Sequence, residues 1–398
     1  VKKQLLFVTQ YLHTGGIEKS LLTLLSDLNY EQYDVDLLLF DYSGLLLKEV
    51  PREVNILPPL FETFSTPLIK AVPTLIRSKN YRLLIGKLLA GVLSKLAPGV
   101  GTGIRWKVYR RILECQRKRY DVAISYIDFF CNYYVTEMVS ATKKVVYNHL
   151  DYAYSKEKGW PSPSLDRKCF AASDHIVSVA ESSKKTLEKF FPECSQKIRV
   201  IHNRVSKKTV QEMAKQSNDT HLMKDPHKIK IVTVARLVDE KGVFWALEAC
   251  QILVKQNYPI IWYLIGKGPL LDELSFKAVE LGIEHHFVLL GEKENPYPFM
   301  AMADIYVQPS KTEAHCVAVE EAIALFRPIV VTNIPSFQSQ IQNNKTGIIA
   351  EGSSRGIAEG VRRLIDSKEL RWEFTENLQR NSERNQEELN KFYQILSI

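Results

Sequence analysis

Apolar positions along the chain follow two rhythms. Short runs such as "QLLFVT", "YDVDLLLF", "YDVAISY", "KKVVYNH", "DHIVSVA" and "KIRVIHN" read as buried strands. Between them the period lengthens to that of a helix. After "HTGG", Ile17, Leu21, Leu24, Leu25 and Leu28 fall on one helical face. From 206 to 228 the pattern lapses into polar, aperiodic sequence with room for one short helix. A second series then begins with "KIKIVTVAR" and runs through "IIWYLIG", "FVLLG", "DIYVQPS", "RPIVVTN" and "TGIIA". The tail from Ser353 carries helical spacing throughout.

Strands alternating with helices predict parallel sheets covered on both faces. The expected architecture is α/β: two doubly wound Rossmann-like domains, 1–205 and 229–377, with 206–228 as linker. A helix from about 378 to 398 is expected to pack back on the first domain. A chain of 398 residues is long for one core, which also favours two. Ligands in such folds bind at the carboxyl ends of the strands, so the site is expected in a cleft across which the two domains face each other.

Composition narrows the class. Six cysteines are scattered without a C-x-x-C pair, which favours free thiols in a reducing compartment over a disulfide framework or a zinc knuckle. "VKKQLLFVTQYLHTGG" reads as a first strand rather than a signal peptide, and no run of about 20 apolar residues occurs. A cytoplasmic protein is expected. The net charge of +8 is uneven: residues 65–119 hold thirteen Lys and Arg against one acid, Glu114. Solvated helices would explain that charge. The same stretch interleaves it with "LLIGKLLAGVLSKLA" and Trp106, a mixture suited to an anionic membrane surface or a polyanion. No nucleic-acid-binding signature accompanies it.

Several motifs sit at strand ends. Gly15 and Gly16 precede a helix, where backbone N–H groups can approach an anion, or simply make a tight turn. Arg236 and Lys241, in "ARLVDEKG", suit either a phosphate clamp or a solvated loop. "LIGKGPLLDEL" holds a lone G-x-G, which helix-start chemistry explains. Asp34 and Asp36 alternate along a strand and are not read as metal ligands; His285 and His286 lack partners at ligand spacing. In "PSKTEAHCVAVEEAIA", Glu313 lies in a loop and Glu321 on the helix that follows. A carboxylate there accepts vicinal hydroxyls, while the helix start favours a phosphate. The alternative is that Glu313 caps the helix and Glu320 and Glu321 face solvent.

Taken together, "GGIEKS", "ARLVDEKG", "LIGKGPLLDEL", "NPYPFMAMADIYVQPSKTE" and the Glu-x7-Glu spacing resemble the group 1 glycosyltransferases, retaining enzymes of the GT-B fold. The likeness runs from residue 4 to about 365. It implies that Gly15 and Gly16 face a donor diphosphate and that His149 lies beside the donor sugar. It implies that Arg236 and Lys241 neutralise the leaving group, that Glu313 lies near the transferred sugar, and that Glu321 holds the ribose. Gly291 and Glu292 would lie at the base, and Val317, Cys316 and His315 at the helix start near the phosphates. No metal and no cofactor is implied.

Three departures bear on the donor sugar. Ala314, His315 and Cys316 replace the common Gly-Phe-Gly, Phe326 stands where a small residue is usual, and "IPSF" replaces glycines. The resemblance implies a nucleotide-sugar partner, UDP favoured, and a saccharide or lipid-linked acceptor in surface polysaccharide or glycolipid synthesis. Contact with the inner face of the membrane would run through the basic segment. No nucleic acid is expected, and self-association stays open. The competing reading is a non-catalytic GT-B-like subunit that partners another glycosyltransferase.

Overall fold

The computed structural model describes residues 2–96, 101–216, 223, 225–380 and 385–397. Residues 97–100 of the basic stretch, 217–222 and 224 of the predicted linker, and 381–384 of the predicted last helix lie outside them. The chain divides into two compact units, Val1–Arg204 with Glu387–Ile398, and Val205–Gln386.

In the N-terminal unit, seven parallel strands form one sheet: β1 (Lys3–Thr9), β2 (Tyr33–Leu39), β3 (Val54–Ile56), β4 (Gln116–Ser125), β5 (Val139–Asn148), β6 (His175–Ser178) and β7 (Ile198–Val200). Their order is β3-β2-β1-β4-β5-β6-β7, with Leu5 of β1 facing Val35 on one side and Val122 on the other. Strands covered on both faces need continuous apolar runs, and Leu5, Leu6, Phe7 and Val8 are all buried. Helix Gly16–Ser26 buries Leu21, Leu24 and Leu25 on its inner face.

The C-terminal unit repeats the plan with six parallel strands: β8 (Ile229–Val234), β9 (Ile260–Ile265), β10 (Phe287–Gly291), β11 (Ile305–Gln308), β12 (Ile329–Thr332) and β13 (Gly347–Ala350). Their order is β10-β9-β8-β11-β12-β13. Both sheets therefore reverse direction beside their first strand, between β1 and β4 and between β8 and β11. The carboxyl ends of those strands are where such sheets bind ligands.

Within 206–228, helix Lys207–Ala214 starts at Ser206, whose hydroxyl accepts the Thr209 N–H at 3.2 Å. Val210 is buried in the C-terminal core and Gln211 donates to the Ala324 carbonyl at 2.9 Å. The last helix, Asn385–Leu396, packs on the N-terminal unit. Phe392 stacks on Phe7, and Lys143 donates to the carbonyls of Ile395 at 3.1 Å and Ser397 at 2.6 Å.

The basic stretch forms helices Leu68–Arg77, Tyr81–Leu96 and Gly101–Ile112. Ala71, Leu75, Leu83, Ala90, Trp106 and Tyr109 turn inward. Lys87 also points in: its ammonium donates to the carbonyls of Thr63 and, at 2.6 Å, Thr66. Among the described residues, no helix is long and apolar enough to cross a membrane.

Candidate functional site

The loops after β8 and β11 meet at the switch point of the C-terminal sheet. Gly242 is in left-handed backbone (φ 63°), and a Cβ there would lie 1.9 Å from the Pro309 carbonyl oxygen. That close approach needs glycine. It brings Lys241 Nζ to 2.6 Å from Glu313 Oε1, with the two side chains 18% and 9% exposed. Ser310 donates to the same oxygen at 2.8 Å; Gln308 Nε2 donates to Ser310 Oγ at 3.0 Å, and Tyr306 OH to Gln308 Oε1 at 2.7 Å. Strand β11 thus delivers a chain of buried hydrogen bonds to the carboxylate. Burial opposes the charge on Lys241, but the Glu313 carboxylate outweighs it and raises the lysine above its ordinary pKa. Arg236 stands at the same edge, 69% exposed, 3.9 Å from Glu240 and close enough to repel the Lys241 charge.

Helix Val317–Ala324 opens beside this pair. Its N-cap is Cys316, which offers no side-chain cap. Gln340 supplies one instead: its Oε1 accepts the Cys316 N–H at 3.1 Å, and its Nε2 donates to Cys316 O at 2.9 Å and Glu320 Oε1 at 2.8 Å. His315 Nε2 lies 3.4 Å from the same Glu320 oxygen. Burial, reinforced by the Glu313 charge, pushes the Cys316 thiol well above its ordinary pKa. Glu313 therefore binds Lys241 and Ser310 rather than capping the helix. Glu321 does not face solvent either: the residue is 2% exposed and accepts the Tyr297 hydroxyl at 2.8 Å. Burial and the Glu321 charge raise the Tyr297 pKa well above its ordinary value.

At the neighbouring edge, β10 ends in Gly291 with φ 68°, and its carbonyl accepts the Gly266 N–H at 2.9 Å. Glu292 pairs with Lys267 at 2.5 Å. Glycines 266 and 268 are required by packing, since a Cβ on either would strike the carbonyl of Ala235 or Leu237.

In the N-terminal unit, Gly15 caps helix Gly16–Ser26, and a Cβ on it would lie 2.1 Å from a carboxylate oxygen of buried Glu18. The turn offered by sequence to a diphosphate thus already has a carboxylate at its third helical residue, where the helix dipole favours it. His149 follows β5 and is 5% exposed, between the rings of Tyr126 at 5.3 Å and Tyr147 at 5.4 Å. Burial drives its pKa down to about 3, against a weaker opposing effect of the Tyr126 carbonyl. Its ring nitrogens make no hydrogen bond within geometric limits. Asp128, after β4, holds this loop: it accepts the His149 N–H at 3.0 and 3.2 Å and the Asn148 side chain at 2.7 Å. Burial pushes Asp128 up to about 7.

The structure gathers Lys241, Glu313, His315, Cys316, Val317 and Glu321 around one helix start, with Arg236 at the same sheet edge. Gly291 and Glu292 end β10, two strands from β8. Gly15, Gly16 and His149 belong to the other unit. Sequence reading passed over Ser310, Gln308, Gln340, Tyr297 and Asp128. Gln308 and Ser310 alternate on the end of an apolar strand, a legible signal; Tyr297, Gln340 and Asp128 reach their partners only through the fold.

Known proteins resemble this chain in part of its sequence and in its fold. Residues 214–381 match the sequence profile of the family described as Glycosyl transferases group 1. The amylovoran biosynthesis glycosyltransferase AmsK of Erwinia amylovora is 32% identical over 145 residues, 34% of this chain and 36% of that protein. The capsular polysaccharide biosynthesis glycosyltransferase CapM of Staphylococcus aureus is 28% identical over 35% of this chain and 37% of its own length. These matches span little more than a third of each relative. Solved structures extend the likeness to the whole fold. The Anabaena HepE structure with UDP and glucose superposes with a TM-score of 0.71 at 16% identity, covering 99% of each chain. A TarM structure from S. aureus that also holds UDP gives 0.71 at 13% identity over 100% of each. The fold is GT-B, and residues 214–381 carry the profile of the group 1 glycosyltransferases, with bacterial polysaccharide-synthesis enzymes among the similar proteins.

Proposed function

We propose that this chain is a retaining glycosyltransferase that moves a sugar from a UDP-sugar to a saccharide or lipid-linked acceptor in surface polysaccharide or glycolipid synthesis. The observation that carries the reading is the partly buried Lys241–Glu313 pair at the β8/β11 edge, with buried Glu321 on the helix that follows. In this reading Glu321 takes the ribose hydroxyls and Glu313 the sugar. Lys241, Arg236 and the helix start at His315, Cys316 and Val317 face the diphosphate. Gly291 and Glu292 lie at the base, and Gly15, Gly16 and His149 keep the donor-binding roles that the resemblance implies for them.

The chemistry follows from charge. As the anomeric carbon becomes oxocarbenium-like, the departing diphosphate gains negative charge, which fixed donors stabilise without reorganising. Lys241 is suited to this because its ammonium has three donors and Glu313 takes only one of them. With these cations in place the reading requires no metal. A donor phosphate oxygen would accept the acceptor's proton on the same face. His149, held neutral by burial, is a hydrogen-bonding group rather than a cation. UDP bound to HepE and TarM supports the choice of nucleotide. The basic helices 68–112 would hold the enzyme at an anionic membrane surface, on the cytoplasmic side.

Thermal denaturation of wild type and Glu321→Ala with UDP, GDP and ADP tests this. A nucleotide at 100 times its dissociation constant stabilises by roughly 2.7 kcal/mol. UDP should raise the wild-type midpoint and leave the variant almost unmoved. If no nucleotide stabilises the wild type, the non-catalytic subunit replaces the enzyme reading.

A further inference from the structure

The hydroxyl of Ser310 has a single proton, and its surroundings decide where it goes. Ser310 is fully buried. Gln308 Nε2 donates to its Oγ at 3.0 Å, and the Gln308 amide is itself oriented by the Tyr306 hydroxyl, 2.7 Å from Oε1. With Gln308 on a lone pair of Oγ, the serine proton goes to Glu313 Oε1 at 2.8 Å. That oxygen also takes Lys241 Nζ at 2.6 Å. Two donors therefore converge on one oxygen of the carboxylate. The other, Oε2, receives no hydrogen bond from a described residue and is not fully buried.

The lysine alone would not impose this asymmetry. The last torsion of a glutamate is broad and two-fold, and an ammonium is a compact charge that can hold either oxygen or both. A hydroxyl three residues away on a rigid loop is more selective. The loop is rigid without it: Gly242 packs against the Pro309 carbonyl, Thr332 Oγ1 donates to the Ser310 carbonyl, and the Lys311 N–H donates to the Glu240 carbonyl at 2.9 Å. Three successive residues are thus fixed through their main chain. Beyond accepting from Gln308, the serine hydroxyl acts on Glu313 alone.

We propose that Ser310 is a positioning residue for the donor sugar: with Lys241 it locks Glu313 through Oε1 and leaves Oε2 to accept a sugar hydroxyl. Gln308 and Tyr306 keep the serine proton aimed at the carboxylate. The donor sugar rests on the glycosyltransferase reading; the two-donor lock on Oε1 does not. UDP carries no such sugar, so loss of the serine hydroxyl should separate a sugar nucleotide from UDP itself.

The test is calorimetric titration of the full chain with UDP, UDP-glucose, UDP-galactose and UDP-N-acetylglucosamine. Ser310→Ala should weaken the best-bound sugar nucleotide about tenfold, the effect of one hydrogen bond to a charged group, and leave UDP unchanged. Ser310→Thr keeps a hydroxyl on the same carbon and should retain most of the affinity. In Glu313→Gln, Lys241 and Ser310 still demand an acceptor, so the amide oxygen takes their side and an NH₂ group replaces Oε2. That variant should lose at least as much sugar-nucleotide affinity as Ser310→Ala, and adding Ser310→Ala to it should lose no more. Unchanged sugar-nucleotide affinity in Ser310→Ala overturns the positioning role. So does equal weakening of UDP and sugar nucleotide, which marks a structural serine, or the same loss in Ser310→Thr. A wild type that binds UDP but none of the three sugar nucleotides overturns Oε2 as a sugar contact and leaves the UDP site standing. Absence of binding by UDP and all three removes the donor-site reading, and this role with it.

Discussion

Lys241 Nζ lies 2.6 Å from Glu313 Oε1, joining two loops 72 residues apart in sequence at the point where the C-terminal sheet reverses direction. Both side chains are largely shielded from solvent, and the carboxylate offsets what burial costs the lysine's charge. Removing one partner of a buried pair costs roughly 3–5 kcal/mol, because the survivor is left uncompensated. Lys241→Ala should therefore lower the denaturation midpoint as well as activity, with kcat falling by about 10² or more if the lysine meets leaving-group charge. Near-normal turnover at saturating donor would remove Lys241 from the mechanism. The pair also predicts an alkaline limit. A lysine raised in the fold contributes its full stability below the unfolded value of about 10.4 and loses it as pH climbs through the folded value. Wild type should thus lose stability above about pH 10 more steeply than Lys241→Met.

Glu321 and Tyr297 separate binding from support. Glu321→Ala removes the proposed ribose acceptor and should abolish measurable UDP binding by calorimetry. Tyr297→Phe removes only a donor at 2.8 Å, leaving the carboxylate in place. A hydrogen bond to a charged group is worth roughly 1.5–3 kcal/mol, so this variant should lose stability on that scale and retain weakened UDP binding. Equal UDP affinity in Glu321→Ala and wild type would sink the ribose assignment.

Gly242→Ala should be more damaging than most glycine replacements. The added methyl meets the Pro309 carbonyl at 1.9 Å in a left-handed backbone, and neither loop can yield without moving Lys241 or Ser310. A loss of roughly 2 kcal/mol or more is expected, with donor binding weakened alongside. Gly282→Ala is the control: it shares a positive φ but meets open space, so its effect should come from backbone strain alone.

Asp128 and His149 push the pH dependence of stability in opposite directions. Asp128 titrates near 7 in the fold and near 4 when unfolded. Between those values the native state holds the extra proton, so this term makes stability fall as pH rises. His149 is neutral down to about 3 in the fold but titrates near 6.5 unfolded, so its term makes stability rise from about pH 3 to 6.5. Asp128→Asn removes the first term and keeps the second. Its stability relative to wild type should climb between pH 4 and 7 in urea titrations, and a flat difference would show that Asp128 does not hold a proton in the native state.

Much of this protein is readable along the chain because its signals are local. The apolar run at Leu5–Val8, continuous because both sheet faces are covered, and the 3.6-residue spacing of Ile17 to Leu28 need no distant partner to be read. The loop carrying Lys241 and the helix carrying Glu321 are legible in the same way, as turns at strand ends. Pairing is not local. Which loops adjoin depends on strand order, and β11 lies beside β8 rather than beside β10, the strand that precedes it. That order joins Lys241 to Glu313 and brings Tyr297 to Glu321. Dehydration is set by the fold as well: His149 looks like any strand-end histidine until Tyr126 and Tyr147 enclose it, and Lys87 looks like one more surface base until Thr63 and Thr66 take its ammonium. A charge count can be made from sequence, but a charge's solvent, and so its chemistry, comes from residues that only folding places around it.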